Sequence, residues 1–86
     1  MADPAQQTKA DEDRERVQAV KLSDRLGDRE REIALGVARC LTNSQIAAAC
    51  CTILPTVKAH VSHILTKLDL NNRVQIALVV YRAGLV

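Results

Sequence analysis

Only four residues, Cys51 to Leu54, separate two helix-forming stretches in the middle of the chain. That short link constrains the fold more than any other feature. The first stretch opens at Thr42-Asn43-Ser44-Gln45, where a Thr with a Gln three residues on is a capping box. Ile46, Ala47, Ala49 and Cys50 continue it as a short apolar helix. The second stretch starts near Pro55, whose fixed φ suits a first helical turn, and runs to about Leu68. A link this short forces a sharp turn between the two helices, which is the helix-turn-helix arrangement.

The second of these helices has two unlike faces. Val57, Val61, Ile64, Leu65 and Leu68 recur at helical spacing as one apolar stripe. The opposite face carries Lys58, Ala59, Ser62, His63 and Thr66, all small, polar or basic, with no carboxylate. A helix that buries one side and presents a slim, acid-free other side is shaped to enter a DNA major groove.

What surrounds this pair must be helical as well. The chain of 86 residues is 48% apolar but holds one aromatic, Tyr81, so its core is aliphatic. Ala- and Leu-rich sequence favours packed helices over sheets. Asp28, Glu30 and Glu32 suit the start of a helix to about Arg39, and Asn72-Arg73-Val74-Gln75 opens another that ends near Gly84. The expectation is an all-α helix-turn-helix bundle of four helices over residues 25–86. Residues 1–24 are expected as a charged, partly disordered lead-in or linker. Asp11-Glu12-Asp13-Arg14-Glu15-Arg16 could there form a solvated helix with Val17, Val20 and Leu22 as weak anchors.

Charge is unevenly spread. Residues 1–32 carry seven basic and nine acidic side chains, whereas residues 33–86 carry five basic ones against Asp69 alone. A segment with one carboxylate suits a polyanionic partner. Cys40, Cys50 and Cys51 are odd in number and lack CxxC spacing, which reads as reduced thiols in a cytoplasmic protein. His60 and His63 match no common zinc spacing, so no metal and no cofactor is expected. His60 reads as a packed residue and His63 as facing DNA or solvent. No Gly-rich phosphate loop and no paired carboxylates suggest an enzyme. No run reaches the length of a membrane span.

Asp28-Arg29-Glu30-Arg31-Glu32-Ile33, Leu41-Thr42-Asn43, Gln45-Ile46-Ala47, Thr56-Val57-Lys58-Ala59-His60-Val61, Ile64-Leu65, Lys67-Leu68 and Arg73-Val74-Gln75 together follow one known pattern. From about Leu26 to Val80 the chain resembles the LuxR-type helix-turn-helix domain of NarL/FixJ-type bacterial response regulators. The resemblance implies sequence-specific binding of double-stranded DNA by a transcription regulator. It implies that Lys58 and Ala59 reach base edges and nearby phosphates, with Ser62 and His63 one turn on. It further implies backbone contacts from Thr42, Asn43, Ser44, Thr56, Lys67 and Arg73, and a dimer contact through the fourth helix. On that helix Val74, Leu78 and Tyr81 form a second apolar stripe left over by the core, expected to hold a homodimer or to dock another domain. A receiver domain in a longer parent chain is a further implied partner. The rival readings are a helical protein-docking module and, more remotely, a thiol or metal sensor.

Four residues depart from the family pattern. Cys40 stands where a Gly is usual, at a position that commonly needs φ > 0 and costs other residues about 1 kcal/mol. Cys50 and Cys51 replace a Leu-plus-variable pair. Thr52 replaces an aliphatic residue. Ile53 replaces the Ser that caps the recognition helix, a loss of about 1 kcal/mol unless Thr52 takes over as cap with the turn shifted by one.

Overall fold

The computed structural model describes the backbone of residues 4–86 and the side chains from residue 9 onward. Five helices follow in order: α1 (Pro4–Ser23), α2 (Asp28–Ala38), α3 (Asn43–Ala49), α4 (Leu54–Lys67) and α5 (Arg73–Arg82). There is no strand among the described residues. The four helices expected of the bundle are α2 to α5, and α1 is added in front of them.

α2 and α5 form the central pair, α4 lies against α2, and α3 packs on α4. The core between them is aliphatic: Ile33, Ile46, Val57, Ile64, Ile76 and Val80 are its fully buried large side chains. β-branched residues suit this role because their few rotamers cost little entropy on burial.

α1 occupies much of the segment expected as a lead-in, and it docks on α5. Of the expected anchors Val17, Val20 and Leu22, Leu22 packs against the core. Val17 and Val20 stay exposed, while Ala19 and Ser23, four residues apart on one face, are buried. Small side chains at this spacing let two helix backbones approach closely. Val79 on α5 borders the same cleft as Ala19 and Leu22 and is buried. Arg31 secures the end of α1, donating from Nη2 to the Ser23 carbonyl at 3.2 Å. The Ser23 hydroxyl turns back to the Val20 carbonyl at 2.8 Å, whereas the buried Nε of Arg31 has no partner.

One device ends α2, α3, α4 and α5. In each, the residue two past the last helical one has positive φ: Cys40 (62°), Cys51 (53°), Asp69 (54°) and Gly84 (75°). The next N–H then reaches back to the third-last helical carbonyl, as in Leu41 N–H to Gly36 O at 3.1 Å and Thr52 N–H to Ala47 O at 2.9 Å. Leu70 to Leu65 (2.8 Å) and Leu85 to Val80 (3.2 Å) repeat the bond. These are Schellman motifs, a geometry that favours glycine. The expectation at Cys40 holds, and Cys51 and Asp69 carry the same strain without having been singled out. Only Gly84 uses the residue that fits without strain.

Candidate nucleic-acid interface

The turn between α3 and α4 is as short as the sequence implied, but α4 starts at Leu54, one residue before Pro55. Ile53 is its N-cap, in extended geometry and with no side-chain bond to the helix. Thr52 therefore does not take over as cap. Pro55 partly offsets the loss, since a proline in the first turn removes an N–H that would otherwise need a partner.

α4 presents the face read from its sequence. Val57 and Ile64 are fully buried beneath it, and Lys58, Ala59, Ser62, His63 and Thr66 are exposed. The Thr66 hydroxyl donates to the Ser62 carbonyl at 3.1 Å and so lies flat along the helix. Lys58 is the one cationic side chain at the centre of this face. Thr56 and His60 are half-buried at its edge.

At the start of α3 the Thr42 hydroxyl accepts from the Gln45 N–H at 3.1 Å, and Gln45 Oε1 accepts from the Thr42 N–H at 2.8 Å. Ser44 is exposed beside it, and Asn43 is half-buried.

Two other residues expected at the phosphate backbone have partners inside the domain. Lys67 Nζ donates to Glu30 Oε1 at 2.7 Å, tying the end of α4 to the first turn of α2. Arg73 donates from Nη2 to the Leu41 carbonyl at 2.7 Å and from Nη1 to Asn43 Oδ1. Asn43 and Arg73, assigned separately to the backbone by resemblance, are thus joined to each other.

Glu30 is the residue that sequence reasoning undervalued. It was read as a charge favouring the helix dipole, yet it is buried. A signal was present: Glu30, Ile33, Ala34 and Val37 follow i, i+3, i+4, i+7, which puts a carboxylate on the apolar stripe of α2. A carboxylate there needs partners. It has two, the Lys67 ammonium and the Gly27 N–H at 3.0 Å. The hydrogen bond from Lys67, then that from Gly27, hold its carboxyl below the ordinary value, and the charges of Lys67 and His60 act the same way against the cost of burial. Arg29 was also missed. Its Nη1 donates to the Cys50 carbonyl at 2.9 Å and to Glu32 Oε2 at 3.2 Å.

On α5 Val74, Leu78 and Tyr81 are all exposed, Val74 to 66% and Tyr81 to 73%. No group of three or more His, Cys, Asp or Glu side chains among the described residues is placed to hold a metal ion. No described helix is long and apolar enough to cross a membrane.

Two helices locked across a tight turn, the second offering an acid-free face over the buried Val57 and Ile64, define a helix-turn-helix DNA-binding domain. Residues 24–80 match the family of bacterial regulatory proteins known as the luxR family, and the chain belongs to it. It is 38% identical over 69 residues to the response regulator protein VraR of Staphylococcus saprophyticus subsp. saprophyticus, covering 80% of this chain and 33% of that protein. The VraR proteins of Staphylococcus aureus and Staphylococcus epidermidis are each 38% identical over 66 residues, covering 77% of this chain and 32% of theirs. The chain thus spans about a third of the length of the curated relatives it matches.

Proposed function

We propose that this chain is the sequence-reading output domain of a cytoplasmic two-component response regulator, with α4 lying in the major groove of duplex DNA. Lys58 and Ala59 face base edges and adjacent phosphates, and Ser62 and His63 extend the contact by one turn. Thr42, Ser44 and Thr56 meet the sugar-phosphate backbone. The observation that carries this reading is the outward face of α4: five exposed residues without a carboxylate, seated on Val57 and Ile64. With one lysine central to that face, affinity needs more than one copy of the domain. Val74, Leu78 and Tyr81 supply the surface, and a homodimer through α5 would set two half-sites about one helical turn apart. A receiver domain belongs to the same proposal, because the relatives are named response regulators and are more than twice as long.

Selection from random duplexes tests the reading. The expected result is an enriched site with paired half-sites, whose affinity falls steeply with salt. Lys58→Ala should weaken binding to that site by about 1–3 kcal/mol in a gel-shift titration. Leu78→Asp should abolish the dimer in sedimentation while leaving helix content intact. The exposed α5 stripe also favours a second reading, a module that docks another protein. Binding without salt dependence and without enrichment of any duplex would establish that reading instead.

A further inference from the structure

The short helix α3 cannot set its own angle. It has seven residues, about two turns, far below the length at which a helix is stable alone. Only Ile46 and Ala47 on it are buried. Two buried side chains on neighbouring positions fix where a helix sits better than how it is tilted. Its two ends, however, are each held by an arginine from a different helix. From α2, Arg29 donates to the carbonyl of Cys50, the C-cap, where helix carbonyls lack partners and the dipole favours a cation. From α5, Arg73 donates through both terminal nitrogens, to the Leu41 carbonyl just before the N-cap and to the Asn43 side chain in the first turn.

We propose that Arg29 and Arg73 are positioning residues for DNA recognition: they clamp the two ends of α3 and thereby fix its angle to α4. This rests on the DNA-binding reading given above. It reassigns Arg73 and Asn43 from the phosphate backbone to each other. A guanidinium suits the task because its donors form a rigid fork that fixes two directions at once, whereas a lysine ammonium supplies only a point charge. The clamp has a consequence for sequence reading. A phosphate contact adds affinity to every duplex alike, while the angle between α3 and α4 matters only when side chains must meet particular base edges.

The test compares wild type with Arg73→Lys, Arg29→Lys and Asn43→Ala on the duplex enriched by the wild-type domain and on an unrelated duplex. Each variant should lose about tenfold in affinity for the enriched duplex, the worth of a charge-assisted hydrogen bond. Binding to the unrelated duplex and the slope of log K against log salt should stay unchanged. Hydrogen exchange of the free domain should speed up at the α3 amides and not at those of α2 or α5. Asn43→Ala removes one of the two Arg73 bonds without altering any charge, so it tests the clamp even if an arginine variant fails to fold. Equal losses on both duplexes, with a salt slope reduced by about one unit on the charge-removing Arg73→Gln, would mark a phosphate contact and overturn the proposal. If wild type enriches no duplex, the DNA reading falls. The exchange experiment then decides the clamp, and unchanged α3 protection in Asn43→Ala would refute it.

Discussion

Gly36 sits in the middle of α2, where a glycine costs about 0.5–1 kcal/mol relative to alanine. Its reason for being there is the close approach of α3. A methyl group built at Gly36 would lie 2.8 Å from Cγ1 and 3.2 Å from Cδ1 of Ile46. Carbon atoms in good contact sit about 3.5–4.0 Å apart, so the first of these distances is strongly repulsive. Ile46 is fully buried and belongs to the core that α3 shares with α2 and α4, so its retreat into the neighbouring groove lined by Leu35, Leu41 and Ala49 would disturb that packing. Forcing a methyl group into such a site costs about 1–3 kcal/mol. Set against the gain in helix propensity, Gly36→Ala should destabilise the domain by about 1 kcal/mol. For a chain of this size that lowers Tm by about 4–8 °C. Thermal unfolding followed by circular dichroism at low protein concentration measures it. In an Ile46→Val background, which removes the Cδ1 atom, the penalty should shrink. A Tm for Gly36→Ala equal to or above that of wild type would refute the reasoning, because α3 would then be free to shift outward at no cost.

Three further predictions concern the ends of the helices. Cys40→Gly and Cys51→Gly remove the left-handed strain at φ 62° and 53° and should each stabilise the fold by about 0.5–1 kcal/mol; melting temperatures no higher than wild type would show that the cysteines sit there unstrained. Ile53→Ser supplies the absent cap to α4 from a residue whose backbone is already extended and whose side chain is exposed, so Tm should rise with a gain of about 1 kcal/mol. A flat result would mean that solvent already satisfies those N–H groups. The carboxyl of Glu30 is held below its ordinary value of 4.5, so the stability it lends is fully present above that pH and is lost as pH falls through the lowered folded value. Glu30→Gln should therefore flatten the acid limb of the stability profile. Lys67→Met should cost more than Glu30→Gln at neutral pH, since it leaves a buried carboxylate without its cation; the reverse order would show the pair to be incidental.

The parts of the site legible from sequence are those governed by local rules. The two faces of α4 and the Thr42–Gln45 box each depend on residues within about four positions of one another, and the positive φ at Cys40 was implied by the resemblance to a family with Gly there. The exposed stripe on α5 was legible for a related reason: one helix carried more apolar residues than one core face can use. The partners of Lys67 and Arg73 were not legible, because they lie 37 and 30 residues away along the chain. A long cationic side chain carries no local sign of whether it turns outward to a phosphate or inward to a carbonyl. The same limit explains α1. Its sequence offers no apolar stripe, and beside the expected Leu22 the residues buried on it, Ala19 and Ser23, are too small to register as anchors.

α4 is consequently fixed more firmly at its far end than at its entry. Its entry is weak, with an exposed Ile53 in place of a cap and strained Cys51 two residues earlier. Its first turn is held by Val57, its latter half by Ile64, and its far end by the bond from Lys67 to Glu30. A rod held at points along its length keeps its direction even when its tip is loose, so the missing cap costs stability before it costs aim. The partner helix α3 is arranged the other way, with few buried side chains and a side-chain clamp at each end. What the turn between them then has to supply is reach and not rigidity. A run of residues so poor in turn chemistry as Cys51-Thr52-Ile53 can occupy it because the angle between the two helices is set elsewhere, by Glu30, Arg29 and Arg73.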